Sequence, residues 1–414
     1  MFRHPNGPSL TLASLSMRFL TMCFLVLLLP GVAQSQSPLA KAVTIGKVDS
    51  IWSATLKENR PYLVYTPPSY DDTTSTPQKY PVLYLLDGDA HFHSVTGLLQ
   101  ILGSGVNGTF VLPPMIVVAI PNTDRTRDLT PTHVETSFDG KPQPFLKTSG
   151  GMPNFFTFLK SELIPRIEAG YRTSGYRIFV GHSLGGITTL NALYTIPETF
   201  NAYVAIDPSL WYDNKLLLRK AKSYFTTANL KGKALFVGQA NTINPDDTTS
   251  NAHFESIVQF NGIMEAFNQT GIRYGYKYYP NDSHGSVPMI AEYDALRFIF
   301  DGYPLDLGRV LATPSLLTEH FRAVSAKLGS TFAPSEGMIA QLGQFAMTQD
   351  TTKAIEFFQI GIDLYPNSYW AYDRMGNAWM AKGDQKKARA YFEQSLAKNP
   401  NDQNAKDMIK KMKP

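Results

Sequence analysis

The chain has 414 residues, of which 38 are Lys or Arg, 34 are Asp or Glu and 43% are hydrophobic. Single domains usually contain about 100–200 residues, so this length predicts at least two folded units. The apolar content and the net charge of +4 exclude a disordered tail protein and the broad basic surface of a nucleic-acid-binding protein. The single cysteine excludes a disulfide framework and a cysteine-rich zinc site.

An uncharged apolar segment, residues 19–29, lies near the N-terminus and directly follows Arg18. It is too short to cross a bilayer comfortably, and its length and flanks are typical of a secretory signal peptide. We therefore expect residues 1–35 to be removed from a periplasmic or secreted protein, with Met17 as an alternative start. Cys23 would leave with the signal, so the mature chain would have no thiol. Membrane attachment is expected only if the signal stays uncleaved.

Short apolar or β-branched runs alternate with amphipathic helical segments through residues 40–303. The predicted strands are 61–66, 81–86, 115–120, 177–180, 203–206, 234–237 and 274–279. The predicted helices are 155–171, 185–194, 256–270 and 290–300. Continuous apolar strands separated by helices indicate a mostly parallel sheet with helices on both faces. We therefore predict a doubly wound α/β domain.

A 34-residue period replaces this alternation towards the C-terminus. The residues that recur at this spacing are Ala354 and Ala388, Phe358 and Phe392, and Pro366 and Pro400. Both the period and the pattern are typical of tetratricopeptide repeats. We therefore place two repeats in residues 335–402, a helical connector in 304–334 and a capping helix in 403–414.

The two repeats differ at one packing position. A small residue lets the paired helices approach closely, and the second repeat has Gly376 where the first has Leu342. Two repeats are fewer than such arrays usually need for stability. We therefore expect them to pack against a helix predicted near Leu316–Leu328 or against the α/β domain.

The strongest chemical signal is the hexapeptide Gly-His-Ser-Leu-Gly-Gly at residues 181–186, between a predicted strand and a predicted helix. The pattern G-x-S-x-G at such a turn is typical of a nucleophile elbow, whose glycines make room for a strained serine backbone. The Ser183 hydroxyl would project above the sheet as a nucleophile. The backbone N–H of Leu184, where the helix begins, would face the developing oxyanion.

A serine hydroxyl is a weak nucleophile unless a base accepts its proton. His284 follows the last predicted strand and comes after Ser183 in the chain, which is the order expected of an α/β hydrolase. We therefore assign the general base to His284. His91 and His93, which follow the strand at 81–86, could line the site.

The sequence leaves open which carboxylate would orient His284. The loop after the penultimate strand, residues 238–242, contains no carboxylate, and Asp246 and Asp247 come a few residues later. Asp207 ends the preceding strand and is the other candidate. A Ser-His dyad is the third interpretation, because the acid orients the imidazole without itself being consumed.

A second oxyanion donor is expected in the loop after the strand at 81–86. This loop begins Asp87-Gly88-Asp89-Ala90, and its glycine permits a tight turn. The backbone N–H of Asp89 or Ala90 is the expected donor. The other interpretation is a plain solvated turn.

Taken together, these segments resemble the putative-esterase family of α/β hydrolases, which includes enterochelin esterases and esterase-D-like enzymes. The matching stretches are Leu-Tyr-Leu-Leu-Asp-Gly at 83–88, Ile-Pro-Asn-Thr-Asp-Arg at 120–125, Arg-Asp-Leu-Thr-Pro at 127–131, Phe-Leu at 158–159 with Glu-Leu-Ile-Pro at 162–165, the elbow at 181–186, Pro-Ser-Leu-Trp at 208–211 and His-Gly-Ser at 284–286. The resemblance implies an α/β-hydrolase fold and ester hydrolysis, with Ser183 as nucleophile and His284 as base. The sequence departs from the family at the acid, because the loop at Gly238 lacks the customary carboxylate.

Siderophore esterases of this kind use a basic surface to recognise catechols. Arg125 and Arg127 could supply such a surface here, and a structural ion pair with Asp124 or Asp128 is the other interpretation. The sequence thus predicts a secreted or periplasmic serine esterase that acts on a siderophore lactone, an acylated carbohydrate or a small acyl ester. No metal or organic cofactor is implied. The competing hypothesis is a catalytically silent hydrolase fold that binds a protein partner through its repeats.

Overall fold

A computed structural model describes residues 42–73, 75–103, 110–137, 140–246 and 251–412. The expected signal, residues 1–35, and the candidate acid Asp247 lie outside these ranges. Ala42 and Val43 belong to a separate N-terminal unit and have no regular secondary structure, whereas the described residues from Thr44 onward form one compact unit. Within the described ranges, no helix combines the length and apolarity needed to cross a membrane.

Eight strands form one sheet in the order β1-β2-β4-β3-β5-β6-β7-β8. The strands are β1 Lys47–Ser53, β2 Glu58–Tyr65, β3 Tyr80–Leu86, β4 Ile116–Ile120, β5 Thr173–His182, β6 Ala202–Ile206, β7 Ala234–Ala240 and β8 Arg273–Tyr279. The pairs β1–β2 and β2–β4 are antiparallel, and all other neighbours are parallel. The predicted mostly parallel sheet is therefore confirmed, and the edge strand β1 is an addition to the prediction.

Helices cover both faces of this sheet. Within the sheet domain they are α1 Gly88–Gly103, α2 Arg125–Asp128, α3 Met152–Phe158, α4 Ile164–Gly170, α5 Leu184–Thr195, α6 Tyr212–Thr227, α7 Ala252–Phe267 and α8 Val287–Ile299. A π-helical turn, Leu159–Leu163, joins α3 to α4, and short 3-10 turns lie at Pro68–Asp71 and Pro144–Thr148. The helices α1, α2 and α6 were not predicted from the sequence.

The central strands are buried on both faces, which explains their continuous apolar sequences. Every residue of β3 is buried, and its side chains alternate between two hydrophobic cores. Val82 and Tyr84 belong to the core on one face, whereas Leu83 and Leu85 belong to the core on the other. This double burial fixes the register of the strand, because a shift by one residue would exchange the two faces.

Seven further helices follow the sheet domain: α9 Leu307–Ala312, α10 Leu316–Leu328, α11 Glu336–Met347, α12 Thr351–Leu364, α13 Tyr369–Ala381, α14 Gln385–Lys398 and α15 Gln403–Lys411. In the pair α13–α14, a Cβ on Gly376 would lie 2.7 Å from the Phe392 ring, so glycine permits the close approach. In the pair α11–α12, the residue packed against the Phe358 ring is Gly343, where a Cβ would collide with the ring, and not the neighbouring Leu342. The small residue of the first pair is therefore displaced by one position from the expected site.

The C-terminal helices share a core with one face of the sheet. Phe332, between α10 and α11, lies with its ring centroid 5.5 Å from that of Tyr176 on β5 and 6.2 Å from that of Phe300 after α8. A polar contact reinforces this packing, because the buried Glu336 accepts a 2.6 Å hydrogen bond from the Thr76 backbone N–H. The expectation that the repeats pack against α10 or against the sheet domain agrees with this core, to which both contribute.

Candidate active site

The carboxyl ends of β5, β6 and β8 bring together the three side chains singled out by their positions in the sequence. Ser183 directly follows β5, Asp207 directly follows β6, and His284 lies in the short loop between β8 and α8. Because parallel strands all end at the same edge of the sheet, these loops meet at one place although the residues are far apart in sequence.

Ser183 has a strained backbone, with φ 60° and ψ −115°, at the turn from β5 into α5. A left-handed φ is uncommon for a residue with a side chain, so the surrounding structure must hold it. Two glycines allow this: a Cβ on Gly181 would collide with the backbone of Gly185, and a Cβ on Gly186 would lie 2.9 Å from Pro208 Cα. The Ser183 N–H donates to Ile206 O at 3.0 Å, which ties the elbow to β6.

A continuous series of hydrogen bonds connects the three side chains. His284 Nε2 lies 3.1 Å from Ser183 Oγ, and His284 Nδ1 lies 2.6 Å from Asp207 Oδ2. In the tautomer that satisfies both contacts, Nδ1–H donates to the carboxylate and Nε2 accepts from the hydroxyl. Ser183 Oγ also lies 3.2 Å from the hydroxyl of the buried Ser209.

Asp207 is fully buried, and its carboxylate is held as an acceptor. Oδ1 accepts a 2.9 Å hydrogen bond from the Ala240 N–H, and Oδ2 accepts from His284 and also from His253 Nε2 at 2.9 Å. Burial by itself would raise the pKa of Asp207, but the hydrogen bonds from His253 and His284 hold it well below its ordinary range. The carboxylate is therefore ionised at neutral pH.

The other candidate acid lies elsewhere. Asp246 is exposed in the loop after β7, where its backbone N–H binds the Asn244 side chain. Asp247 lies outside the described residues. Among the described carboxylates, Asp207 is the one hydrogen-bonded to His284.

His253 is the residue of this cluster that the sequence did not reveal. It is the second residue of α7, 46 positions from Asp207, and no local motif surrounds it. Its ring lies perpendicular to that of His284, with 5.2 Å between the centroids. The sequence signal that could have found it is weak: a histidine at the start of the helix that follows the penultimate strand.

The segment after β3 begins a helix, which corrects the expectation of a loop there. Asp87 has a left-handed φ of 52°, and α1 begins at Gly88. The Ala90 N–H donates to Asp87 O at 2.9 Å, so this group is already occupied. Asp89 is the second residue of α1 and Leu184 the first of α5, positions at which a helical N–H has no acceptor within its own helix.

An ion pair between the buried Asp87 and the partly exposed Arg125 supports this segment. Arg125 binds both oxygens of Asp87, with Nε 2.6 Å from Oδ1 and Nη2 3.0 Å from Oδ2, and Asn122 Nδ2 donates to Oδ1 at 2.7 Å. Burial would raise the pKa of Asp87, but the Arg125 hydrogen bonds and charge keep it below its ordinary value. Arg125 also donates to His182 O at 3.3 Å, which links the ion pair to the elbow.

From the sequence, Asp124 and Asp128 are the expected partners of Arg125 and Arg127. For Arg125 this was wrong, because its partner is Asp87. Arg127 does pair with Asp128, and also binds Glu58 with Nη2 2.6 Å from Oε1. Asp124 instead accepts the Arg127 N–H as the N-cap of α2.

A second polar cluster lies behind the elbow. The His182 ring centroid is 4.5 Å from that of His284 and 6.0 Å from that of His91. Burial, with the neighbouring His284 and His91 rings, lowers the pKa of His182 to about 4, so this imidazole is neutral at working pH. Beyond it, His91 Nδ1 lies 3.9 Å from the buried Glu292, whose pKa is raised to about 8 by burial. His93, the other histidine expected near the site, packs its ring near Phe92.

Three nitrogen and oxygen atoms of the site lie close enough together to be considered as metal ligands. They come from Asp207, His253 and His284 and lie within 4.8 Å of one another. Ligands bonded at about 2.0–2.1 Å around a tetrahedral ion stand more than 3 Å apart. The Asp207 oxygen lies only 2.6 and 2.9 Å from the two ring nitrogens, distances that fit shared protons better than an intervening ion.

Comparison with known protein families places the chain among esterases. The profile of the family described as Putative esterase matches residues 53–282, and a tetratricopeptide-repeat profile matches residues 369–402. The chain is 28% identical over 286 residues to the ferri-bacillibactin esterase BesA of Bacillus subtilis, covering 65% of this chain and 96% of that protein. It is 34% identical over 168 residues to a siderophore enterobactin esterase of Emericella nidulans, covering 37% of this chain and 54% of that protein.

Solved structures agree with the fold. An IroE-like serine hydrolase from Shewanella oneidensis superposes with a TM-score of 0.68 at 31% identity, covering 77% of this chain and 99% of that structure. An uncharacterised protein from Capnocytophaga ochracea superposes with a TM-score of 0.56 at 16% identity, covering 88% of this chain and 99% of that structure. The second similarity supports the fold alone.

Proposed function

Because the chain belongs to the Putative esterase family, we propose that it hydrolyses carboxylic esters through an acyl-enzyme on Ser183, with His284 as general base and Asp207 as orienting acid. The observation that carries this proposal is the hydrogen-bonded series from Ser183 Oγ through His284 to Asp207. The strained elbow supports it, because such a turn exposes the serine hydroxyl at the end of the sheet.

In the acylation step, Ser183 Oγ attacks the ester carbonyl carbon while His284 Nε2 accepts the hydroxyl proton. The carbonyl oxygen becomes an oxyanion, which the N–H groups of Leu184 and Asp89 would bind. When the intermediate collapses, the bond to the leaving alcohol breaks and His284 donates its proton to that alcohol. Water then attacks the acyl-enzyme with His284 again as base, which releases the acid and restores Ser183.

Charge develops on His284 during each half of this reaction. Asp207, ionised and fully buried, would stabilise the imidazolium and keep its ring oriented. His182 lies against the same ring, and because burial lowers its pKa to about 4, it adds no competing positive charge. His182 therefore does not oppose the positive charge that develops on His284.

The nucleophile can be tested with a short-chain p-nitrophenyl ester. We expect Ser183→Ala to reduce kcat by at least about 10³-fold, because the acyl-enzyme cannot form. The matched control is Ser209→Ala, which removes the neighbouring hydroxyl 3.2 Å away and should retain more than about a tenth of the activity. Equal turnover by wild type and Ser183→Ala would contradict the proposal.

We further propose that the natural substrate is a siderophore ester. The support comes from the relatives, which include enzymes named for the esters of ferri-bacillibactin and of enterobactin. Arg125 adds no support, because its guanidinium is paired with both oxygens of Asp87.

The substrate class can be tested separately from the reaction. Purified protein would be incubated with iron-loaded and iron-free enterobactin and with an acetylated oligosaccharide, and products would be followed by chromatography and mass spectrometry. We expect each cleaved siderophore ester to gain the mass of one water molecule. Cleavage of p-nitrophenyl esters without cleavage of either siderophore would contradict this substrate class and leave the esterase proposal intact.

We propose export to the periplasm or the medium, which fractionation of cells expressing the full chain would test. The rival function is a silent hydrolase fold that recruits a protein through its repeats, and the repeat profile at residues 369–402 allows such an interaction. Partner capture that is equal for wild type and Ser183→Ala, with no ester turnover, would favour that rival.

A further inference from the structure

The Asp207 carboxylate receives a hydrogen bond from a second imidazole that the catalytic steps do not use. Its Oδ2 atom lies 2.6 Å from His284 Nδ1 and 2.9 Å from His253 Nε2. The two rings are perpendicular, with an interplanar angle of 90°. The carboxylate is therefore held from two directions in addition to the Ala240 N–H on its other oxygen.

His253 is itself fixed by the elements around it. It lies in the first turn of α7, and the next residue, Phe254, accepts a 3.0 Å hydrogen bond through its backbone oxygen from the buried Gln239 side chain. Gln239 belongs to β7 and in turn accepts a hydrogen bond from Tyr276 on β8. The first turn of α7 is thereby tied to the two strands beside the site.

The protonation pattern gives His253 a defined task. With Asp207 ionised, each imidazole needs only one ring N–H to donate to Oδ2. Neither ring therefore has to carry a positive charge to make its contact with the carboxylate. Asp207 has a left-handed φ of 40°, a conformation that costs energy unless its surroundings hold it. A carboxylate with His284 as its sole imidazole donor would have more freedom to turn away.

We propose that His253 is a positioning residue of the esterase site, whose Nε2–H holds the Asp207 carboxylate so that His284 keeps Nε2 directed at Ser183. This inference rests on the proposed function. In metal sites, loss of the hydrogen-bonded partner that orients a ligand side chain costs about 10- to 100-fold in metal affinity or activity, and we take this range as the scale for His253. His253 acts through Asp207 rather than on the substrate.

The main test compares His253→Phe, which keeps an aromatic ring without the donor, with His253→Gln, whose amide can donate to the same oxygen. We expect His253→Phe to lower kcat for a p-nitrophenyl ester about 10- to 100-fold with KM changed less than about threefold. His253→Gln should stay within about threefold of wild type. The matched control is His320→Phe on α10, which removes an imidazole that lies 3.0 Å from Tyr303 O and should leave both constants unchanged.

The pH profile provides a readout that loss of packing alone would not move. The ionisable groups facing Asp207 and His253 are His284 after β8, His182 at the end of β5 and Tyr276 on β8. Without the His253 donor, the Asp207 carboxylate is freer to turn and stabilises protonated His284 less. The acid limb of kcat/KM should therefore move to lower pH by about half a unit in His253→Phe.

Several results would overturn the inference. One is a His253→Phe variant that keeps kcat within twofold of wild type and the same acid limb. If that variant does not fold, equal activity of His253→Gln and the shorter His253→Asn would overturn it, because only the longer amide reaches the carboxylate.

A measurement independent of turnover separates this inference from the proposed function. In a Ser183→Ala background, the His284 Nδ1 proton should give a strongly downfield NMR signal, since it lies in a 2.6 Å charge-assisted hydrogen bond. We expect addition of His253→Phe to shift or broaden that signal. An unchanged signal would overturn the positioning role, whereas absence of wild-type ester turnover would instead overturn the proposed function.

Discussion

Two carboxylates lie at similar depth in this chain and meet opposite surroundings. Asp207 is 0% exposed and accepts hydrogen bonds from two imidazoles and a backbone N–H. Glu292 is 3% exposed on α8, where its described polar neighbours are the Ser94 hydroxyl at 3.5 Å and His91 Nδ1 at 3.9 Å. The pKa of Asp207 is held below its ordinary range, whereas burial raises that of Glu292 to about 8. Hydrogen-bond donors, rather than depth, decide which buried acid is charged.

The largest expected effect comes from removing the charge of Asp207. In Asp207→Asn the amide cannot stabilise the imidazolium or accept from both imidazoles, so kcat for a p-nitrophenyl ester should fall about 10³- to 10⁴-fold. The matched control is Asp246→Asn, an exposed carboxylate of the loop after β7, which should stay within twofold of wild type. A fall smaller than tenfold in Asp207→Asn, or a larger fall in Asp246→Asn, would contradict the assignment of the acid.

The next effect concerns the stability contributed by Glu292. Its ordinary pKa is 4.5 and its pKa in the folded protein is about 8, so between these values the native state keeps a proton that the unfolded chain has released. Stability linked to this group is therefore complete below about pH 4.5 and is lost as the pH rises through 8. At pH 9, Glu292→Gln should increase the free energy of unfolding by about 3 kcal/mol, measured by urea denaturation.

The control for that measurement is Glu393→Gln, which changes an exposed glutamate on α14 and should alter the free energy of unfolding by less than about 0.5 kcal/mol. At pH 5 the stabilisation by Glu292→Gln should largely disappear, because the wild-type carboxyl is then neutral. The same gain at pH 5 and pH 9 would show that the effect comes from packing and not from charge.

A third buried acid, Asp87, tests the same rule with a cation as partner. Its pKa is depressed by Arg125, so its contribution to stability is present above its ordinary pKa of 3.8 and is lost as the pH falls through the folded value. Since Arg125 is 35% exposed, Arg125→Ala should cost only about 2 kcal/mol at pH 7. The double variant with Asp87→Asn should recover part of this loss, and a fully additive double variant would rule out the pairing.

The smallest expected effect is that of chelation. The short spacing of Asp207, His253 and His284 fits shared protons, so dialysis of the protein against EDTA should change kcat by less than twofold. A loss of activity that zinc restores would instead identify these three side chains as ligands.

The fold was predictable where buried elements give an apolar pattern in the sequence. The strands β3, β4, β6 and β7 are buried throughout and appear as continuous apolar runs. The edge strand β1 was missed because six of its seven residues are exposed or half-exposed, so no apolar pattern distinguishes it. The helix α6 was also missed, and its first turn is irregular, because residues 213–215 have a left-handed backbone and regular helix begins only after them.

Site residues could be predicted from the sequence only where a motif or their order along the chain marks them. Ser183 and His284, whose side chains the structure brings within 3.1 Å of each other, were singled out because a motif and a strand end mark their positions. The choice between Asp207 and the pair at 246–247 stayed open, because the sequence does not show which loop folds towards the imidazole. His253 and the Asp87–Arg125 pair escaped notice because their contacts span 46 and 38 positions and carry no motif.

The contact of Phe332 with Tyr176 and Phe300 determines how the protein should unfold. Since a strand of the sheet and the connector before the first repeat share one apolar core, neither can lose its structure without exposing the other to water. Heat should therefore melt the sheet and the repeats in a single calorimetric transition. A protease would find no easily opened junction near residue 332, so the two parts should be degraded together.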